Sequence, residues 1–199
     1  MSTGSTFVLL LSGTFDEDVP ETWLTLEEVK ASGKIDQDFE DADLMDMIRA
    51  AREFLETKYG VVVQPRTQEF ALDGLPSGGV VFPRRPVRSV MSVKYLESDG
   101  TETTLPTTDY RLIEWNGRFE LLPAVGVSWP WGASARGSVR VTAQIGYADR
   151  TTLRPSIRRA ALQLILHWYK HREAAATVRV QSVPYSFEYL MGPYENFLG

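Results

Sequence analysis

The sequence has no cysteine and only two histidines. Without cysteine there are no disulfide staples, thiolate metal sites or Cys nucleophiles, so the fold must stand on packing and hydrogen bonding, as suits a reducing compartment. The scarcity of histidine confines imidazole chemistry to His167 and His171. Long apolar runs are missing too. The longest near the N-terminus, Phe7 to Leu11, has no Lys or Arg before it and is followed by Asp16, Glu17 and Asp18, so neither a signal peptide nor a membrane span is expected. No internal repeat or low-complexity tract occurs, which removes solenoid and propeller architectures. Phosphate loops of the G-x-x-x-x-G-K and G-x-G-x-x-G types are absent, as is the G-x-S-x-G nucleophile elbow.

What remains is an ordinary globular composition: 199 residues, 43% hydrophobic, 11% aromatic and 24% charged, enough for one domain or two small ones. The net charge of -5 is unevenly spread. Residues 1–60 hold 14 acids against five bases, and residues 61–199 hold 12 acids against 16 bases. A chain with oppositely charged halves is suited to stacking head to tail with copies of itself or with a charged neighbour.

Periodicity divides the chain. Residues 1–21 read as an extended N-terminal arm. Thr25 and Glu28 form a capping box, and Leu24 with Val29 a hydrophobic staple, for a short helix ending near Gly33. A second helix is expected to start at Asp36 or Asp38, where acids favour the positive end of the helix dipole. Leu44, Met47, Ile48, Ala51 and Leu55 form its apolar stripe, and Gly60 ends it. Its other face carries Asp46, Arg49, Arg52, Glu53 and Glu56, a mixed-charge surface for water or a channel.

From Val61 the period becomes two. Strands are expected over Arg66 to Leu72, around Met91, Val93 and Tyr95, over Thr101 to Leu105 after an Asp99-Gly100 turn, on both sides of Asn116-Gly117, and over Val139 to Ile145. Ser77-Gly78-Gly79 reads as a further turn. Helical spacing returns after Pro155, with Ile157, Ala161, Leu164 and Trp168 on one face, widened by Ala160, Ile165 and Tyr169. The expected class is α+β: a helical bundle built from N- and C-terminal helices, residues 22–60 and 151–180, with an inserted antiparallel β sandwich or partly open barrel at 61–150. A tail, residues 181–199, carries Tyr185, Phe187, Tyr189, Leu190, Met191, Tyr194, Phe197 and Leu198. It is too apolar to leave in water and must either fold back on its own core or enter a partner's groove.

Candidate chemistry is sparse. His167 and His171, at i and i+4, share a helix face and could ligate one ion, but Trp168 stands where a zincin has Glu and no third imidazole exists. A small metal-dependent hydrolase using this pair is therefore an alternative that needs an unseen third group. Arg84, Arg85 and Arg88, and Arg150, Arg154, Arg158 and Arg159, form basic clusters. The acidic balance and the lack of a reading motif weigh against a DNA-binding module and favour arginines that flank turns and helix starts or meet the acidic end of a neighbouring subunit.

The order of Leu24 to Lys30, Ile35-Asp36, Leu44 to Ala51 and Glu53-Phe54-Leu55 resembles the head–tail connector (adaptor) proteins of tailed phages. So do Leu72-Asp73-Gly74, Phe82 to Val87, Ser89-Val90, Val93 to Leu96, Asp99-Gly100, Asp109-Tyr110-Arg111, Ile157 to Ala160, His167 to Tyr169, Arg172-Glu173-Ala174 and Leu190 to Tyr194. The likeness is to the longer members with a β insertion, found also in gene transfer agents, and covers about residues 22 to 195; the acidic arm departs from the shorter starts of that family. It implies a non-enzymatic protein without cofactor or metal, assembled in the host cytoplasm into the virion neck. There a ring, typically of twelve copies, lies beneath the portal protein, meets a stopper or tail-completion protein, and lengthens the channel for duplex DNA, with no sequence-specific recognition and no membrane. It further implies that the tail, from Tyr185 to Leu198, goes to the portal. An acidic lining lets DNA slide where a basic one holds it, so Asp38, Asp41, Asp46 and Glu53 are expected to face the channel.

Overall fold

The computed structural model describes residues 9–10, 21–76, 79–130, 135–171 and 184–197. The chain divides into two compact units, a β unit of Met1–Glu17 and Pro65–Gly146 and a helical unit of Asp18–Gln64 and Tyr147–Gly199. The boundaries differ from those expected at 61 and 150. After Gly60 the chain stays with the helices, because Val61 and Val63 are buried in the helical core and the Tyr147 N–H donates to the Val62 carbonyl at 3.3 Å.

In the helical unit, α1 (Leu26–Gly33) begins with the expected capping box: the Glu28 N–H donates to Thr25 Oγ1 at 3.3 Å, and the Thr25 N–H donates to Glu28 Oε2 at 3.1 Å. Lys34, not a glycine, takes the left-handed position that ends the helix, with φ of 54°. Gly33 serves another purpose. A Cβ there would lie 2.7 Å from Leu166 Cδ2, so the missing side chain admits α3 (Pro155–His171). The next helix, α2 (Asp41–Tyr59), starts later than expected. Lys30 Nζ draws in both Asp38 (2.7 Å) and Asp41 (2.8 Å), and the Asp41 N–H closes a turn on the Asp38 carbonyl at 3.2 Å, so residues 36–40 form the approach to the helix. Gly60, with φ of 65°, ends α2 as its lack of a Cβ predicts.

The stripe Leu44, Ile48, Ala51 and Leu55 is fully buried against Ile157, Ala160, Ala161, Leu164 and Ile165 of α3 (Pro155–His171), with Met47 half-buried at the edge. A short α4 (Tyr185–Met191) and a 3-10 segment (Gly192–Phe197) complete the unit. The Phe187 ring stands 5.9 Å from both Phe54 and Tyr59, in the tilted and edge-on arrangements that aromatic quadrupoles favour.

The β unit holds β1 (Leu9–Leu10), β2 (Arg66–Leu72), β3 (Val80–Val81), β4 (Val87–Leu96), β5 (Glu102–Thr104), β6 (Tyr110–Trp115), β7 (Arg118–Pro123) and β8 (Val139–Ile145). They form two antiparallel sheets, ordered β1-β2-β8-β4-β5 and β3-β7-β6. The N-terminal arm supplies an edge strand, Leu9 and Leu10 pairing with Ala71 and Phe70. Along β4 two register shifts alter the expected phase, so Val93 is buried while Met91 is half exposed. Phe70 meets Phe82 edge-on at 5.3 Å. Asn116 (φ 51°) and Gly117 (φ 73°) make the two-residue turn between β6 and β7 that the sequence predicts. Of the expected Ser77-Gly78-Gly79 turn, Ser77 and Gly78 lie outside the described residues.

Candidate assembly surfaces

The four acids expected to line a channel lie on α2 or its approach, in three settings. Asp38 and Asp41 are held by Lys30, which keeps the Asp38 carboxyl below its ordinary range by hydrogen bonding first and charge second. Asp46 is exposed and pairs with Arg49 at 2.7 Å, one turn along the helix. Glu53 is exposed, two turns on from Asp46. Asp46 and Glu53 thus share a solvent face of α2, whereas Asp38 and Asp41 belong to the α1–α2 junction.

The same face was expected to expose Arg52 and Glu56, and here the structure differs: Glu56 is fully buried and Arg52 nearly so. Arg52 Nη1 donates to Glu21 Oε1 at 2.9 Å and to Gln64 Oε1 at 2.7 Å, and Trp23 Nε1 donates to Glu21 Oε2 at 2.7 Å. Burial raises the Glu21 carboxyl, partly offset by the Arg52 charge. The network ties the segment before α1 to the middle of α2. Its signal in the sequence is Trp23, a large apolar side chain with one N–H to satisfy, two residues from the acid it bonds.

The tail is divided. Phe187 and Met191 are fully buried in their own helical core and Tyr194 nearly so: the short α4, hidden from periodicity by its length, turns them inward. Tyr185 and Tyr189, at i and i+4, are exposed, and Leu190 is half-buried. Of the other tail residues, the Phe197 side chain and Leu198 lie outside the described residues.

Arg150 and Arg158 both reach Glu28 Oε1, Arg158 at 3.7 Å, so one carboxylate caps α1 and clasps the start of α3. The His167 and His171 rings lie tilted at 40° with centroids 4.4 Å apart, and His171 Nδ1 turns back to the His167 carbonyl at 2.8 Å. Burial, then the neighbouring ring, lowers the His167 pKa. Among the described residues no group of three or more acids and histidines could hold a metal ion, and no helix is long and apolar enough to cross a membrane.

Two large side chains that the sequence reading passed over are exposed instead. Phe39 is 81% exposed between Asp38 and Glu40, and Trp115 is 69% exposed at the tip of the β6–β7 hairpin. The signal for Trp115 was its position next to Asn116-Gly117, and for Phe39 its acidic setting.

This architecture has counterparts among solved particles. A chain in the neck of an empty GTA (gene transfer agent) particle, computed with C6 symmetry, matches with a TM-score of 0.69 at 21% identity over 95% of each chain. A chain in the virion of a native GTA particle matches at 0.70 and 21% over 94% of each. One in the neck of a native GTA particle, computed with C12 symmetry, matches at 0.66 and 20% over 95% of this chain and 94% of that one. The fold is thus one used by subunits of such particles. A family model described as head completion protein matches residues 22–189, and the chain belongs to the head completion protein family. No curated protein matches.

Proposed function

We propose that this protein works as a non-enzymatic head–tail connector: a ring of twelve copies in the virion neck, below the portal protein, joining the head to a stopper or tail protein and continuing the channel for DNA. The observation that carries this reading is the match to the head completion family over residues 22–189, together with a fold seen in particle necks of C6 and C12 symmetry. Twelve copies satisfy both symmetries.

In this reading Asp46 and Glu53, exposed on one face of α2, turn toward the bore and repel the duplex, so that DNA passes without counterion-release binding. Among the described residues of the tail, Tyr185 and Tyr189 are the exposed aromatics offered to the portal, with Phe187 and Met191 anchoring the helix that presents them. Native mass spectrometry with and without portal protein tests the assembly: a twelve-copy ring with portal is expected, and a lone monomer in both conditions refutes it. A gel-shift assay with plain duplex should show no retention at physiological salt.

A further inference from the structure

We infer that neighbouring copies of this chain join head to tail by seating Phe39 of one copy, with its surrounding acids, on the outward face of the three-stranded sheet of the next, at Trp115. The inference rests on the ring proposed above and names its contact.

The sheet carries the first half of the argument. Strand alternation puts Tyr110, Leu112 and Leu121 on one face, with Tyr110 and Leu121 buried. The other face carries Arg111, Ile113 and Trp115 on β6, opposite Leu122, Glu120 and Arg118 on β7. On a solvent-facing sheet surface these positions are ordinarily polar, yet here Trp115 is 69% exposed, Val81, paired with Glu120, is 37% exposed, and Ile113 and Leu122 are half-buried. A two-residue turn with both φ positive closes the hairpin, and the β6–β7 pairing carries the backbone of Trp115 to its tip. Tryptophan and arginine are also among the residue types enriched where interfaces concentrate their binding energy.

The second half lies on the helical unit. Phe39 is 81% exposed, and the segment around it holds Asp36, Asp38 and Asp43 exposed and Asp41 half-buried, with Asp38 and Asp41 bonded to Lys30. An exposed aromatic among acids complements an exposed aromatic that faces Arg118 across the hairpin, with Arg111 further along the same face. Because the two patches differ and sit on one chain, their union is heterologous, and a heterologous contact closes into a ring when its rotation permits. The charge imbalance between the first sixty residues and the rest has the same sense.

Phe39→Ala and Trp115→Ala test this in the full chain. Both side chains lie largely in solvent, so circular dichroism should show native folding. Each variant should weaken self-association by at least about tenfold in sedimentation, and Arg111→Glu should do the same and be rescued by pairing with Asp43→Arg. The decisive sample is an equimolar mixture of the two alanine variants. Each retains the surface the other lacks, so the mixture should yield a 1:1 pair and nothing larger. Wild-type rings unchanged by either substitution would overturn the inference while leaving the ring standing, as would variants that form rings but fail to enter particles. A wild-type chain that stays monomeric with and without portal would overturn the ring and this contact together.

Discussion

Single carboxylates in this chain hold more than one element each. Glu28 closes the capping box of α1 and reaches Arg150 and Arg158, so its loss should be felt at two elements. Glu28→Ala is expected to cost about 1–2 kcal/mol in urea unfolding, and Glu28→Gln less, since an amide still caps but no longer draws the two arginines. The imidazole pair offers a second reading at the same scale. His167 is depressed by burial first and by His171 second, so its neutral form is the one the fold favours; the stability this brings is present above the free-imidazole pKa and is lost as pH falls through the lowered value. His171→Ala should raise the His167 midpoint without restoring it fully to the free value, as followed by NMR of the ring protons. A midpoint that stays put would show that the neighbouring ring contributes nothing.

At the scale of elements, glycines that look alike in sequence answer to different constraints. Gly79 and Gly100 both have φ near 90°, but a Cβ at Gly79 would lie 2.2 Å from Leu122 Cδ2 and 2.9 Å from the Leu121 carbonyl oxygen, whereas at Gly100 it would meet nothing. Gly100→Ala should therefore cost about 1 kcal/mol for backbone strain alone, and Gly79→Ala clearly more, as read from denaturation midpoints. The tail gives the larger effect. Phe187→Ala empties a site walled by Phe54 and Tyr59 and should cost about 3–5 kcal/mol. Removing residues 184–199 should lower the helical far-UV signal's melting midpoint, since α4 and the 3-10 segment belong to the core.

What the sequence reveals follows the range of the forces involved. The capping box, the Asn116-Gly117 hairpin, the α2 stripe and the β8 alternation are decided within a few residues, and all are legible. The late start of α2 is not, because it depends on Lys30 reaching across a turn to Asp38 and Asp41. Nor is the burial of Glu56, whose charge is felt at the Glu21 carboxyl across the fold. The inward turn of Phe187 was an even choice on burial alone, since a partner's groove and the chain's own core satisfy the same hydrophobic demand. The register shifts in β4 likewise arise from pairing with β8 and leave no local mark. For the proposed assembly surfaces the helix acids were visible from composition, whereas Phe39 and Trp115 needed coordinates, because exposure is a property of surroundings.

At the scale of the whole molecule, the helical unit is discontinuous in sequence: α1 and α2 precede the β unit, and α3 and α4 follow it. If copies associate through oppositely charged patches, added salt should weaken their association, and a sedimentation series from low to high ionic strength measures this. The interrupted topology has a consequence for synthesis. As the polypeptide leaves the ribosome, α2 must wait with its apolar stripe uncovered until the entire β unit has been made and α3 and α4 emerge. A chain whose translation aborts before Phe187 cannot fill that core, so particle building would draw only on copies translated through to α4, with defective fragments left for proteolysis.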